Sequence, residues 1–200
     1  MIIRFLQLIV VLMMLTACGS APPVPTDSFY RLTLPAQGME KQRVTEGVIH
    51  VGHFIAEGLY NERALLYTDD QHGMRLLQHH YHFWLTSPPR LLREYMVEFL
   101  RESDSAPMVI TDSSKGEEGY RISGKVLEFD IQTAGELATA NVNLELRVDV
   151  GGEDLPRFIR QYRLKEDISG SSMTDTVAGF NSAVNKIYRE FAGDIRAVLE

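Results

Sequence analysis

The sequence predicts an α/β fold: a single compact domain in which a mixed, largely antiparallel sheet is packed by two main helices. Three observations predict it. Apolar and polar residues alternate over several segments, as in half-buried strands. Two other segments repeat apolar residues every three or four positions, as in amphipathic helices. Segments 120–133, 141–150 and 157–168 are separated mainly by polar and glycine-containing turns, so we expect an antiparallel meander.

The first half of the chain contains five predicted strands and one helix. Pro35 ends the first strand, which we expect at an edge of the sheet. A polar turn at 69–73 predicts a hairpin between its two flanking strands. The helix begins at Ser87-Pro88-Pro89, because serine can cap a helix and proline suits its first turn, and it ends near 103–105. The predicted strands are 28–34, 47–55, 64–68, 74–84 and 108–111.

The second half contains the meander and a last helix. In 120–133 the apolar positions change face near Val126, which predicts a β-bulge or burial of both faces. Segment 141–150 alternates without error and is the clearest strand in the chain. Ser172 and Asp175 fit a capping box at the start of the helix, whose apolar stripe we expect to pack on its own sheet. The stripe consists of Met173, Val177, Phe180, Val184, Ile187, Phe191, Ile195 and Val198.

The chain begins with the features of a secretory signal. Arg4 precedes an apolar run, and Leu15-Thr16-Ala17-Cys18 follows it. This ending resembles the lipobox of bacterial lipoproteins, which implies cleavage before Cys18 and fatty acyl chains, such as palmitate, on that residue. An uncleaved span would need about 20 apolar residues, and a plain secretory signal would leave an unpaired thiol. We therefore expect a signal peptide at 1–17 and lipid attachment at Cys18.

A short tether separates Cys18 from the domain. Residues 18–27 hold the predicted lipidated cysteine and a proline-rich stretch, and the domain follows at 28–200. An extended tether of nine residues would span about 28 Å at about 3.1 Å per residue. Gly19, where aspartate would favour retention in the inner membrane, implies by resemblance the outer membrane, with the domain facing the periplasm.

The charge balance excludes some classes of partner. The net charge is −7, and it becomes −8 when the signal is removed, because Arg4 is the only charged residue before Cys18. An acidic protein gains no counterion-release energy on nucleic acid and is not attracted to anionic lipid head groups. We therefore expect no nucleic-acid partner, and we expect the lipid to hold the protein on the membrane.

The candidate chemistry is a histidine cluster on the fourth predicted strand. His79, His80 and His82 are close in sequence, and simple alternation would place His80 and His82 on one strand face. A zinc site needs a third ligand, and no carboxylate stands at a telling spacing. No nucleophile elbow and no phosphate-binding glycine loop is present. We therefore expect no catalytic residues, no bound metal and no cofactor, and we expect that the protein is not an enzyme.

Three motifs together resemble the ABC-type transport auxiliary lipoproteins, with the paraquat-inducible protein C group as the nearest members. Tyr30-x-Leu32 follows the tether, and Trp84-x-x-x-Pro88-Pro89-x-Leu91-Leu92 leads into the first helix. Between them lies Asn61-Glu62-Arg63-Ala64-Leu65-Leu66-Tyr67, where the family usually reads closer to Leu-Asp-Arg-x-x-Ile-Val-Tyr. The resemblance covers nearly the whole chain after Cys18.

The resemblance implies a non-catalytic accessory subunit of a system that moves lipids between two membranes. Its expected partners are an MCE-domain protein, which it would dock at the outer membrane, inner-membrane transport components, and further copies of itself. Two alternatives remain open. A stand-alone lipid-binding or small-molecule-binding module would show a large apolar cavity between sheet and helices. A metalloprotein or hydrolase would bring His80 and His82 together with a carboxylate in a cleft.

Overall fold

The computed structural model describes residues 24–35, 39–69, 73–111, 119–135 and 137–199. The predicted signal peptide, Cys18 and most of the tether lie outside the described residues, as does most of the predicted polar loop at 112–119. The strands are β1 (Ser28–Tyr30), β2 (Val48–Ala56), β3 (Ala64–Thr68), β4 (Leu76–Trp84), β5 (Met108–Thr111), β6 (Tyr120–Ala134), β7 (Leu137–Val150) and β8 (Phe158–Asp167). The helices are α1 (Pro88–Glu102) and α2 (Met173–Leu199), and a 3-10 turn at Gly58–Asn61 joins β2 to β3.

All these strands form one mixed sheet, which confirms the predicted fold class. The long strand β6 lies at the centre of the sheet. Along one side β6 pairs with β7, and β7 in turn pairs with β8. Both pairings are antiparallel, as the predicted meander requires. On the other edge β6 pairs with two strands in succession, first β2 and then β3, both parallel. Strand β5 lies outside β2, and β4 and β1 lie outside β3.

The change of face in β6 is a β-bulge. The register with β7 shifts between Val126 and Glu128. The bulge returns Phe129 to the side of the sheet that already holds Ile122 and Val126, and all three side chains are buried. Gly124 on this side gives room to Phe54, because a Cβ at Gly124 would lie 2.9 Å from the phenylalanine ring.

The two helices pack on the apolar side of the sheet and against each other. Helix α1 lies on β2, β5 and β6, and α2 lies on β7 and β8, as expected for its apolar stripe. Tyr188 of α2 is fully buried, donates a hydrogen bond of 2.9 Å to the carbonyl of Leu92, and lies edge-on to Phe99 of α1. The capping box is formed as predicted: the Asp175 amide donates to the Ser172 hydroxyl at 3.1 Å, and the Ser172 amide donates to the Asp175 carboxylate at 3.0 Å.

Three predicted details are wrong. The first strand ends at Tyr30 instead of residue 34, because Leu32 leaves the sheet and enters the core, where it is 7% exposed. Strand β7 begins at Leu137 instead of residue 141, because the hairpin from β6 is tight and its pairing continues to Ala134. Ser87 occupies the position before α1, but its side chain makes no capping hydrogen bond.

Candidate functional site

The tether meets the sheet at an edge, beside β4. Val24 in the tether is 84% exposed. Strand β1 begins at Ser28, which lies opposite His82 in the parallel pairing with β4. Next to this pair, the rings of Phe29 and Phe83 lie 5.8 Å apart. The first strand is therefore an edge strand, as predicted, and the predicted lipid attachment at Cys18 would lie ten residues before it, outside the described part of the chain.

Arg63 fastens this corner of the sheet. Its Nε donates a hydrogen bond of 3.2 Å to the carbonyl of Trp84, and the Trp84 amide donates one of 2.7 Å to the Arg63 carbonyl. The guanidinium also lies 5.2 Å from the centre of the Phe29 ring, a cation–π contact. One side chain thus connects β1, the start of β3 and the end of β4.

A shallow depression lies beside Arg63. Its volume is about 370 Å³, and it combines two acidic residues with two aromatic rings. It is lined by Asp27, Phe29, Glu62, Arg63, Ala64, Gln78 and Phe83. The last residue of the tether therefore forms part of its wall.

The histidine cluster has a geometry that simple alternation does not predict. The register between β3 and β4 shifts between the pairs Ala64–Phe83 and Leu66–Gln78, so β4 carries extra residues in between. The rings of His79 and His82 consequently meet edge to face at 5.7 Å. The predicted grouping of His80 with His82 is replaced by His79 with His82, and His80 is exposed.

Tyrosines, not carboxylates, surround the paired histidines. The Tyr30 hydroxyl lies 2.9 Å from Nδ1 of His82, and the rings of Tyr67 and His79 are 4.6 Å apart. Burial lowers the pKa of His79, and the neighbouring His82 and His80 lower it further. Among the described residues, which leave out His72, no group of three histidine, cysteine or acidic side chains could hold a metal ion.

One buried acid was not singled out from the sequence. Asp130 is 3% exposed, and its carboxylate accepts hydrogen bonds from the Tyr60 hydroxyl at 2.7 Å and the Asn141 amide at 3.1 Å. Burial raises the pKa of Asp130, while these two hydrogen bonds act in the opposite direction. Since Tyr60 belongs to the 3-10 turn, the carboxylate ties the β2–β3 connection to β6 and β7. No sequence signal marks it, because an aspartate at an outward strand position normally faces water.

The space between sheet and helices is filled with side chains. The Trp84 ring lies 5.1 Å from that of Phe129 and 5.3 Å from that of Phe180, and all three residues are fully buried. Three further depressions of about 250 to 460 Å³ lie at the surface of the described residues, and each is lined in part by charged side chains. None of these four depressions has the apolar lining and the central position that an internal lipid-binding site would need.

Each end of the sheet carries exposed apolar side chains. At the β6–β7 end, where β3 also stops and β4 begins, Met74 is 82% exposed and Leu137 is 75% exposed. At the opposite end, which we call the β7–β8 end, Leu155 is 77% exposed and Met108 is 54% exposed. Within the described ranges, no helix combines the length and the apolar character that crossing a membrane requires.

Comparison with known families identifies the chain. The family described as "ABC-type transport auxiliary lipoprotein component" matches residues 30–192, which is most of the sequence and nearly all of the folded domain. The chain belongs to this family. No curated protein sequence matches it.

Solved structures share the fold of this auxiliary lipoprotein domain. The Xanthomonas campestris protein XCC0632, of the DUF330 family, is 15% identical with a TM-score of 0.73, over 86% of this chain and 96% of that one. An uncharacterized protein is 14% identical with a TM-score of 0.67, over 85% and 99%. The hypothetical protein CT253 from Chlamydia trachomatis is 10% identical with a TM-score of 0.53, over 78% and 98%. At these identities the likeness concerns the fold alone.

The three motifs that carry the family resemblance converge in space. Tyr30 pairs with Trp84 in the β1–β4 ladder, and Arg63 bonds to the Trp84 backbone. The segments are far apart in sequence, yet they form one corner of the auxiliary lipoprotein domain, directly after the tether. The motif residues therefore build the place where the tether joins the fold.

Proposed function

We propose that this lipoprotein is a non-catalytic accessory subunit of an MCE/ABC-type system that moves lipids between membranes. Cys18 carries the lipid that anchors it to the outer membrane, and the domain faces the periplasm and docks the MCE-domain protein. The observation that carries this proposal is the family match over residues 30–192, directly behind a lipobox. A protein of this design holds a partner near a membrane and does not transform a substrate.

The β7–β8 end offers a surface of the kind that docking requires. Leu155 and Met108 are exposed there, beside a depression of about 450 Å³. The depression mixes basic, acidic and apolar residues, and it is lined by Arg43, Val44, Thr45, Glu46, Gly47, Tyr120, Arg196 and Leu199. Apolar side chains with a polar rim are typical of protein interfaces.

Assembly with further copies of the chain is part of the proposal. Strand β8 is ten residues long and pairs with β7 on one side only within the described residues. A long edge strand can add to another sheet, and native proteins usually protect such edges with charges. Arg160 and Glu166 pair with acidic and basic partners on α2, and the outer backbone edge of β8 has no strand partner among the described residues. A charge of −8 on each mature subunit opposes assembly unless such contacts offset it.

Photo-crosslinking in cells tests the proposed docking. A photoreactive residue replaces Leu155 or, in a second variant, Met108, and mass spectrometry identifies the captured proteins. We expect an MCE-domain protein from both positions and none from Glu98, an exposed polar position on α1. If no exposed position captures an MCE-domain protein and a deletion strain keeps wild-type sensitivity to detergent, the transport role is wrong.

A further inference from the structure

We propose that the β6–β7 end of the sheet faces the membrane and touches the lipid surface through Leu137 and Met74. The β7–β8 end would then point into the periplasm. This inference rests on the lipid anchor at Cys18 in the proposed function, but not on the identity of the protein partner.

The direction of the tether follows from the pairing of β1. Because β1 runs parallel to β4, the chain before Ser28 leaves the sheet in the direction of the start of β4 at Leu76. Strand β4 is antiparallel to β3, and β3 is parallel to β6. The start of β4 therefore lies at the same end as the turn that follows Ala134. The tether leaves the domain towards the β6–β7 end.

The wall of the depression beside Arg63 supports this direction. Asp27, the last tether residue, lines it together with Phe83 and Gln78. Gln78 lies five positions before Phe83 in β4, on the side of the β6–β7 end. The last tether residue thus borders a depression whose wall reaches Gln78 on the side of the β6–β7 end and Glu62 on the other side.

The length of the tether restricts the orientation further. From the level of Ser28 to the start of β4 is at most about 20 Å, for six residues at about 3.3 Å each, and the register shift in β4 shortens this distance. An extended tether of nine residues spans about 28 Å and therefore passes this end with a few residues to spare. Reaching the β7–β8 end would require the tether to reverse and follow β6 for roughly 30 Å, again at about 3.3 Å per residue. The tether would then be too short for the acyl chains on Cys18 to enter a bilayer at that end.

The side chains at the β6–β7 end suit contact with a lipid surface. Leu137 and Met74 are exposed at adjacent hairpins, and their apolar side chains can lie among lipid head groups. The charged residues close to Met74 include Asp69 and Arg75, which form an ion pair and so contribute little net charge. Contact at this end would therefore rest on the apolar side chains and on the acyl chains of Cys18, not on attraction between charges.

Fluorescence quenching in vesicles tests the orientation. Cys18 is the only cysteine and its thiol is acylated in the proposed mature protein, so one introduced cysteine gives one labelled site. Leu137→Cys and Leu155→Cys form a matched pair, because both leucines are about equally exposed, at 75% and 77%, at opposite ends of the sheet. Each full-length lipidated variant carries an environment-sensitive fluorophore and is reconstituted in phosphatidylethanolamine–phosphatidylglycerol vesicles containing head-group spin-labelled lipid.

We expect the label at position 137 to be quenched several-fold more than the label at position 155. Equal quenching at the two positions, or stronger quenching at 155, in protein that floats with the vesicles would overturn the orientation and leave the anchor intact. Protein that does not float with the vesicles would overturn the anchor and the orientation together. If the photo-crosslinking experiment captures no MCE-domain protein, the proposed partner is contradicted, but the outcome of the quenching experiment is unaffected.

Discussion

Arg63 shows how one exposed side chain can hold together the segments that meet where the tether joins the fold. Its guanidinium bonds to the Trp84 carbonyl and covers the Phe29 ring, so it links the edge strand β1 to the sheet. Strand β1 has three residues and needs such support, because a strand that short gains few backbone hydrogen bonds. The family motif around Arg63 therefore has a structural explanation in the attachment of the tether.

Replacing Arg63 tests this structural role. Arg63→Met keeps a long apolar side chain but removes the hydrogen bond and the cation–π contact. We expect a loss of about 1 kcal/mol in the free energy of unfolding, measured in urea. Arg90→Met is the matched control, because Arg90 is an exposed arginine of α1, and it should change stability by less than about 0.5 kcal/mol. Equal effects of the two substitutions would contradict the role of Arg63.

Asp130 makes stability depend on pH in an unusual direction. Its pKa is raised by burial in the folded protein, so the folded state binds a proton more readily than the unfolded state. The contribution of this carboxyl to stability therefore increases as pH falls from above its raised pKa towards the ordinary value of about 3.9. This contribution to stability is lost as pH rises through the raised pKa, because the buried carboxyl group then becomes charged.

Comparison with Asp130→Asn isolates this effect, because the other titrating groups cancel in the difference. The stability of the wild type relative to the variant should increase as pH is lowered from 7 towards the ordinary aspartate pKa of about 3.9. Urea unfolding at several pH values measures it. A difference that is flat, or that decreases as pH falls, would show that the folded pKa of Asp130 is not raised.

At the scale of whole elements, the sequence predicts most of the sheet because the outer faces of β6, β7 and β8 are polar. Val142, Leu144, Leu146 and Val148 of β7 are all fully buried, so their alternation with polar neighbours leaves no ambiguity. Helix α2 is equally clear, since its apolar stripe packs mainly on the apolar face of β7 and β8. These elements follow from local pattern because one face of each is apolar and the other carries mostly polar residues, although Asp130, Asn141 and Asn143 on the polar faces are buried.

Other features of the elements depend on contacts between distant segments. The sequence does not show that β2 and β3 both pair with β6, because parallel pairing across the 3-10 turn leaves no local mark. The meeting of His79 with His82 depends on the register shift in β4, which alternation alone places incorrectly. The corner built by Tyr30, Arg63 and Trp84 likewise becomes visible only when the strand order is known. The motifs could be found in the sequence, but their convergence could not.

Core packing by α1 and by β7 gives a prediction at this scale. Phe99 and Leu144 are 1% and 0% exposed, so Phe99→Ala and Leu144→Ala each leave a cavity and should cost about 2–5 kcal/mol. Ile159→Ala is the control, because Ile159 is 52% exposed and its loss should cost less than about 1 kcal/mol. Urea unfolding measures all three. A cost below about 1 kcal/mol at Phe99 or Leu144 would mean that these residues do not face the core.

At the scale of the whole molecule, the folded domain and the proposed lipid attachment are separate in the sequence. The folded part begins at Ser28, and the proposed lipid lies ten residues earlier, so the lipid can be removed without disturbing the sheet. Function and fold should then respond differently to mutation. Core substitutions would destabilise the folded domain, whereas loss of the anchor would leave a folded domain in the wrong place.

Cys18→Ala tests this separation in cells. Without the thiol there is no acylation, so the precursor should remain unprocessed and cleavage before residue 18 should disappear from the mass spectrum. Because the proposed function requires the domain at the outer membrane, the strain should show the same outer-membrane permeability defect, measured as detergent sensitivity, as a strain lacking the gene. Ser20→Ala, two residues further along the tether, should behave as wild type. A Cys18→Ala protein that is still processed and still requires detergent for extraction would show that the membrane attachment does not depend on this cysteine.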